Sequence, residues 1–355
     1  MELFKGLSLS TNLALFMIAA VAVWLAGTRI ARHADTISRK TGIGHATIGL
    51  VLLGGITSLP EMGATVSAAW IDNATLAVNN LLGSIALQVA LLAIVDAAIG
   101  RRALTSILPD ASVLIQGVLS VLLLAIATAG IITGDVKFGG VGLWVWLCLG
   151  GYVGSIWILA HSPTARSWHP KASDARGVLP DHARSYVPAK QATVSSAEEP
   201  LRRTIARTVA LALVILVAGY VLSMTGDAIA EQTGIGSSFI GFVLLAASTS
   251  LPELSSTISA ARLGNYTMAI SDILGTNLLN IGLLFLVDVI AGGEPVFNVV
   301  GPFAAFGAIL GICLTTLFLI GVLERRDRTI LRMGYDSAAV LIVYFGGLAI
   351  LYGLK

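Results

Sequence analysis

Two stretches of the chain carry the same five residues in strongly apolar surroundings: GLVLLGGITSLPEMGATVSAA from Gly49 and GFVLLAASTSLPELSSTISAA from Gly241. Each places a carboxylate, Glu61 or Glu253, directly after a proline and close to two hydroxyls, Thr57 and Ser58 or Thr249 and Ser250. Pro60 and Pro252 have no N–H to offer the preceding turn, so carbonyl oxygens around those hydroxyls are expected to lose their donors. Carboxylate, hydroxyl and loosened carbonyl at one point make an oxygen set of the kind that hard cations such as Ca²⁺ take, about six to eight at a time. A carboxylate at mid-membrane costs roughly 3 kcal/mol even on insertion scales, so two related ones point to function.

The next apolar run of each copy supplies a facing wall. Asp272, Thr276 and Asn280 are spaced by four and share one helical face, with Asn277 beside them; Asn80, Ser84 and Gln88 occupy the equivalent face of the first copy. Gly83 and Gly275 permit close helix approach. Asp272 is ionisable within the bilayer and is read as part of the site, whereas Gln88 and Asn280 are read as satisfied interhelical hydrogen bonds. Asp96 and Asp288 fall at span ends, Asp96 near Arg101 and Arg102, and are read as interfacial.

These residues need a membrane scaffold. Of 355 residues 56% are hydrophobic and 12% charged, with mean hydropathy +0.87, against roughly 25% charged in an ordinary soluble domain. Ten apolar runs of membrane-crossing length lie near residues 9–29, 44–70, 74–99, 104–131, 139–160, 205–229, 236–261, 266–291, 297–321 and 334–354. They lack the alternation of a membrane barrel, so helices are predicted. The first run lacks a small-residue cleavage site and is read as a span.

Residues 1–160 form the first five-span half, 161–203 a Pro-, Ser- and charge-rich linker, and 204–355 the second half. Of 22 Lys and Arg residues, 19 fall in the loops after odd-numbered spans and in the linker region, leaving Lys5, Lys137 and Lys355 on the other side. The linker is therefore expected in the cytoplasm and both termini outside. A shift of 192 residues lays Thr41–Gly100 on Thr233–Gly292 without a gap, with about half the positions identical. Five spans per half is an odd number, so the second copy must cross in the opposite sense; such inverted repeats are typical of secondary transporters with a midplane site.

Other chemistries find little support. Cys148 and Cys313 sit in apolar runs and form no CxxC pair. The chain has no GxxxxGK[ST] loop, no HExxH, no GxSxG elbow with serine and no ligand-spaced histidines, so no enzyme, prosthetic group or nucleic-acid partner is expected.

The paired segments GITSLPEM and ASTSLPEL, followed by NNLLGSIALQV and SDILGTNLLNI, resemble the α-repeats of the sodium/calcium exchanger family within the cation/calcium antiporter superfamily. That resemblance implies an all-α membrane protein of ten helices in two inverted five-helix repeats, working by alternating access. It implies Glu61 and Glu253 as principal cation ligands, helped by Thr57, Ser58, Thr249 and Ser250, with Asn277 at a ligand position. The sequence departs from the pattern at Ile85, where an amide would stand, and at Asp272, where the family more often has Asn. The metal-lining set is thus Glu61, Glu253, Asp272, Asn277, Thr57, Ser58, Thr249, Ser250, Asn80, Ser84 and Thr276.

The expected function is a plasma (inner) membrane antiporter exchanging Ca²⁺, or a related divalent cation, outward against Na⁺. A proton-coupled exchanger of the same superfamily is the alternative, and a non-transporting sensor or scaffold with a decayed site is kept open by Ile85. Besides these ions and the lipid bilayer, no protein partner is expected.

Overall fold

A computed structural model describes residues 2–41, 58–99, 111–161, 201–262, 266–324, 329–330 and 333–354. The longer helices are α1 Leu9–Thr41, α2 Leu59–Trp70, α3 Ala74–Ile99, α4 Ala111–Thr133, α5 Leu143–His161, α6 Leu201–Thr233, α7 Leu251–Arg262, α8 Tyr266–Ala291, α9 Gly301–Glu324 and α10 Tyr335–Gly353. Eight are long and apolar enough to cross a membrane, and a ninth span results if Ser237–Thr249 and α7 are joined across their 44° bend. The expected second span, 44–70, lies partly outside the described residues; α2 is its second half.

Burial separates the helices by role. In the crossing stretches 78% of α3 and 67% of α8 is buried, against 17% of α5 and 22% of α6, so α3 and α8 form the middle of the bundle and α5 and α6 lie on its outside. The α3 and α8 helices pack on each other, α4 on α9, and α2 on α6. Apolar side chains facing lipid gain nothing by hiding, which accounts for exposed Trp157, Val217, Ile342 and Phe345.

The α1 and α6 helices run antiparallel along each other. At one end Asn12 Nδ2 donates to Gln232 Oε1 at 3.3 Å, and at the other Thr208 Oγ1 lies 3.3 Å from His33 Nδ1. At 33 residues each, both are about 50 Å long and outreach a hydrocarbon core of about 30 Å. The short helix Glu2–Lys5 is pinned to α6 by Lys5 Nζ, 2.6 Å from Glu231 Oε2; that carboxylate holds the Lys5 ammonium pKa above its ordinary value.

The 192-residue repeat reaches beyond the matching sequence. Hairpin β1 Lys137–Phe138 and β2 Val141–Gly142 precedes α5, and hairpin β3 Thr329–Ile330 and β4 Met333–Gly334 precedes α10, every position offset by 192. In the first hairpin Gly139 and Gly140 take φ of +63° and +88°, the conformation that a tight two-residue turn demands and glycine supplies. Both hairpins lie where the fifth and tenth spans were expected to begin.

Asp96 and Asp288 do sit near the ends of α3 and α8, but they are buried, 0% and 4% exposed. Protein donors reach both: the Gly334 N–H and the Ser337 hydroxyl at Asp96, and the Gly142 and Val296 N–H groups at Asp288. That differs from the interfacial reading of the sequence.

Candidate ion-binding site

The two TSLPE segments fold as the prolines require. Pro60 lies in the first turn of α2, where its missing N–H costs nothing. In the second copy the helix breaks at Ser250, φ −84° and ψ 8°, directly before α7, and the chain bends there by 44°. Proline at 252 offers the Ser248 carbonyl no i+4 N–H, but the Ser58 and Ser250 carbonyls, expected to lose their donors, accept from the Met62 and Leu254 N–H groups at 2.9 and 3.1 Å. Ahead of the break, Ile240–Leu245 winds as a π-helix, a wide turn often found beside functional sites. That segment lies so close to α3 that a Cβ on Gly83 would collide with the Phe242 carbonyl, and one on Gly241 would sit 2.7 Å from the Leu76 carbonyl oxygen.

Glu61 and Glu253 are both fully buried. Ser250 Oγ donates to Glu61 Oε1 at 3.1 Å, and Gln88 Nε2 donates to Ser250 Oγ at 3.3 Å. One chain of hydrogen bonds therefore links α3, the break before α7, and α2, drawing the motif of one repeat onto that of the other. The Thr249 hydroxyl turns back to the Leu245 carbonyl at 3.1 Å, leaving its lone pairs to accept or coordinate. Ser58 is buried at the start of α2, and Thr57 lies outside the described residues.

Asp272 is held differently. Its Oδ2 accepts from Ser256 Oγ at 2.7 Å, and that hydroxyl also lies 3.0 Å from the Glu253 carbonyl oxygen. Asn80, its repeat partner, donates through Nδ2 to Thr65 Oγ1 at 3.0 Å. Among the described residues no three His, Cys, Asp or Glu side chains converge as a metal cluster, so the three acidic groups do not meet at one point. A cation here would rely on neutral oxygens as well as charge.

Such oxygens are present beside those of the acidic groups. Among the described residues Glu61 Oε2, Asp272 Oδ1, Asn80 Oδ1, Ser84 Oγ, Gln88 Oε1, Thr276 Oγ1 and Asn277 Oδ1 are buried without a hydrogen-bond partner. So are both polar atoms of Asn280. Buried orphan polar atoms are rare because each costs about 1–3 kcal/mol, and a run of them on helices facing two carboxylates fits a place that cations or water occupy. Asn280 is thus not the satisfied interhelical residue that the sequence implied. Gln88 does bond between helices, but its partner is Ser250, inside the site. Their position one turn after Thr276 and Ser84 was the signal that marked them.

Ile85 is buried with its Cγ2 3.4 Å from where a Cβ on Gly311 of α9 would lie, beside Leu124 of α4. It fills a helix contact.

A sequence model of the family described as sodium/calcium exchanger protein matches residues 11–160 and 204–353. An antiporter named CaxA from Alkalimonas amylolytica is 27% identical over 335 residues, 91% of this chain and 93% of its own. Among solved structures, the sodium-calcium exchanger NCX_Mj soaked with Na⁺ and Sr²⁺ superposes with TM-score 0.60 at 16% identity, covering 96% of this chain and 99% of that one. The H⁺/Ca²⁺ exchanger CAX gives TM-score 0.63 at 13% identity, covering 97% and 86%. At such identities these structures speak for the fold alone.

Proposed function

Because the chain belongs to the sodium/calcium exchanger protein family, a family of membrane antiporters, we propose that it moves Ca²⁺ across the plasma (inner) membrane against Na⁺ by alternating access. The observation that carries this reading is the bond from Ser250 to Glu61, which couples the two repeat motifs around a buried carboxylate. Glu61 and Glu253 supply the charge that replaces part of the hydration shell of Ca²⁺. Ser58, Ser84, Thr249, Ser250, Thr276 and Asn277 supply neutral oxygen, with Thr57 in the same role, and Asn80 and Asp272 flank them.

The mechanism follows from cost. An empty pair of glutamates in a low-dielectric bundle is expensive, and one Ca²⁺ or several Na⁺ lower that cost by neutralising it. Only the neutralised site crosses readily between its two openings, so uptake of one ion species depends on release of the other. The substrate leaves chemically unchanged, as in any transporter.

A proton in place of Na⁺ as the driving ion is the second reading, because the fold matches the H⁺/Ca²⁺ exchanger CAX, TM-score 0.63, as well as NCX_Mj, TM-score 0.60, and so does not choose between the two ions. Calcium flux in sealed proteoliposomes, with Na⁺ and pH gradients imposed separately, tests the choice. Uptake driven by outward Na⁺ and indifferent to pH is expected; uptake driven by the pH gradient alone would assign the proton instead.

A further inference from the structure

Asp96 and Asp288 stand 192 residues apart, and each accepts a backbone N–H from the opposite half of the molecule. The Gly334 N–H donates to Asp96 Oδ2 at 2.7 Å, and the Ser337 hydroxyl joins it at 2.6 Å. The Gly142 N–H donates to Asp288 Oδ2 at 2.7 Å, and the Val296 N–H donates to Oδ1 at 2.6 Å. Gly142 and Gly334 are themselves 192 apart, the last residues of β2 and β4. Each central helix is thus fastened near its C-terminal end to the hairpin that starts the last helix of the other half: α3 to α10, and α8 to α5.

Charge-assisted bonds in a buried, low-dielectric setting are strong and directional. They act close to the site. Asp96 follows Gln88 by eight residues and Asp288 follows Asn280 by eight, about 12 Å along a helix axis. Within that distance a helix behaves as a rod, so the fastening sets the depth and rotation of Ser84, Gln88, Thr276 and Asn280.

We propose that Asp96 and Asp288 are positioning residues for cation binding: by tying α3 and α8 to the hairpins of the opposite repeat, they hold the neutral oxygen wall level with Glu61 and Glu253. This rests on the reading of that site as the Ca²⁺ site. A residue that only stiffened a hairpin would do nothing for affinity, and the same hairpin offers a control. Asn298 brackets the backbone of Asp135, just ahead of β1, accepting its N–H at 2.6 Å and donating to its carbonyl at 3.0 Å, and among the described residues its side chain makes no hydrogen bond to α8.

The test is a Ca²⁺ titration of thermal stability on the full-length protein purified in detergent, which reads binding whatever ion drives transport. The Ca²⁺ concentration for half-maximal stabilisation should rise at least about tenfold in Asp288→Ala and in Asp96→Ala, the usual scale for groups that orient metal ligands. Asp288→Asn keeps an acceptor for one of two N–H donors and should fall between, so a fold too weak to survive Asp288→Ala still leaves two variants to read. Asn298→Ala should lower the melting temperature and leave the midpoint unchanged. Wild-type midpoints in the aspartate variants, or an equal loss in Asn298→Ala, would overturn the proposal alone. A wild type that Ca²⁺ does not stabilise would overturn the exchange reading, and this proposal with it.

Discussion

Ser250 and Glu61 lie 189 residues apart in the chain, and the hydroxyl of the first donates to the carboxylate of the second at 3.1 Å inside a water-poor bundle. Two inverted copies of one motif thereby meet in a direct polar contact. It gives the second half of the molecule a direct hold on the charge of the first.

Removing that contact should weaken ion binding without unfolding the protein. Ser250→Ala leaves Glu61 Oε1 and Gln88 Nε2 without their shared partner, a loss of about 1.5–3 kcal/mol for a hydrogen bond to a charged group, or roughly ten- to a hundredfold in Ca²⁺ affinity. Ser250→Thr restores a hydroxyl and should recover most of it. Calcium binding by isothermal titration reads both variants; an Ala variant as tight as wild type would show that the bond is idle.

Ile85 packs against Gly311 and Leu124, so an asparagine there would not simply restore a missing ligand. Ile85→Asn buries an amide in an apolar contact and should cost about 2–4 kcal/mol of stability, seen as a lower melting temperature. The voltage dependence of exchange under an imposed potassium-diffusion potential should stay as in wild type. Intact stability with a steeper voltage dependence would mean that the residue had vacated a cation site.

The close approach of α3 to the π-helical segment leaves no room at Gly83. Gly83→Ala must move the Phe242 backbone, with an expected loss of roughly 1–3 kcal/mol from overpacking and disturbed exchange, because the segment leads straight into Ser250. A variant with wild-type melting temperature and flux would show that the contact yields freely.

The proposed orientation, with the linker in the cytoplasm, rests on the Lys and Arg distribution, 19 of 22 in the linker region and the loops after odd-numbered spans. A single cysteine at Ser173, in a background without Cys148 and Cys313, should resist an impermeant thiol reagent in intact cells and react after permeabilisation. Labelling of intact cells would reverse the assignment.

Much of the architecture was legible because its signals are long. The third and eighth spans, expected at 74–99 and 266–291, coincide with α3 and α8, since 26 mostly apolar residues bounded by polar turns admit one reading. The motif repeat likewise pointed to Glu61 and Ser250, which a hydrogen bond joins. Shorter features escaped. Two-residue strands such as β1 and β2 carry no periodicity, and their glycines read equally well as the start of a span. Asp96 and Asp288 looked interfacial because a carboxylate at a span end normally meets water; their partners, Gly334 and Gly142, are set by tertiary contact over more than 140 residues. Asn280 lacks a partner for the same kind of reason: whether an amide finds one depends on packing that spacing does not encode.

The account stands on two buried glutamates, and charge removal tests them most directly. Calcium uptake into sealed proteoliposomes loaded with Na⁺ should be rapid for the wild type and fall to background, a loss of at least about a hundredfold, in both Glu61→Gln and Glu253→Gln, with melting temperatures near wild type because an amide keeps the shape and loses the charge. Wild-type uptake in either variant would contradict the account.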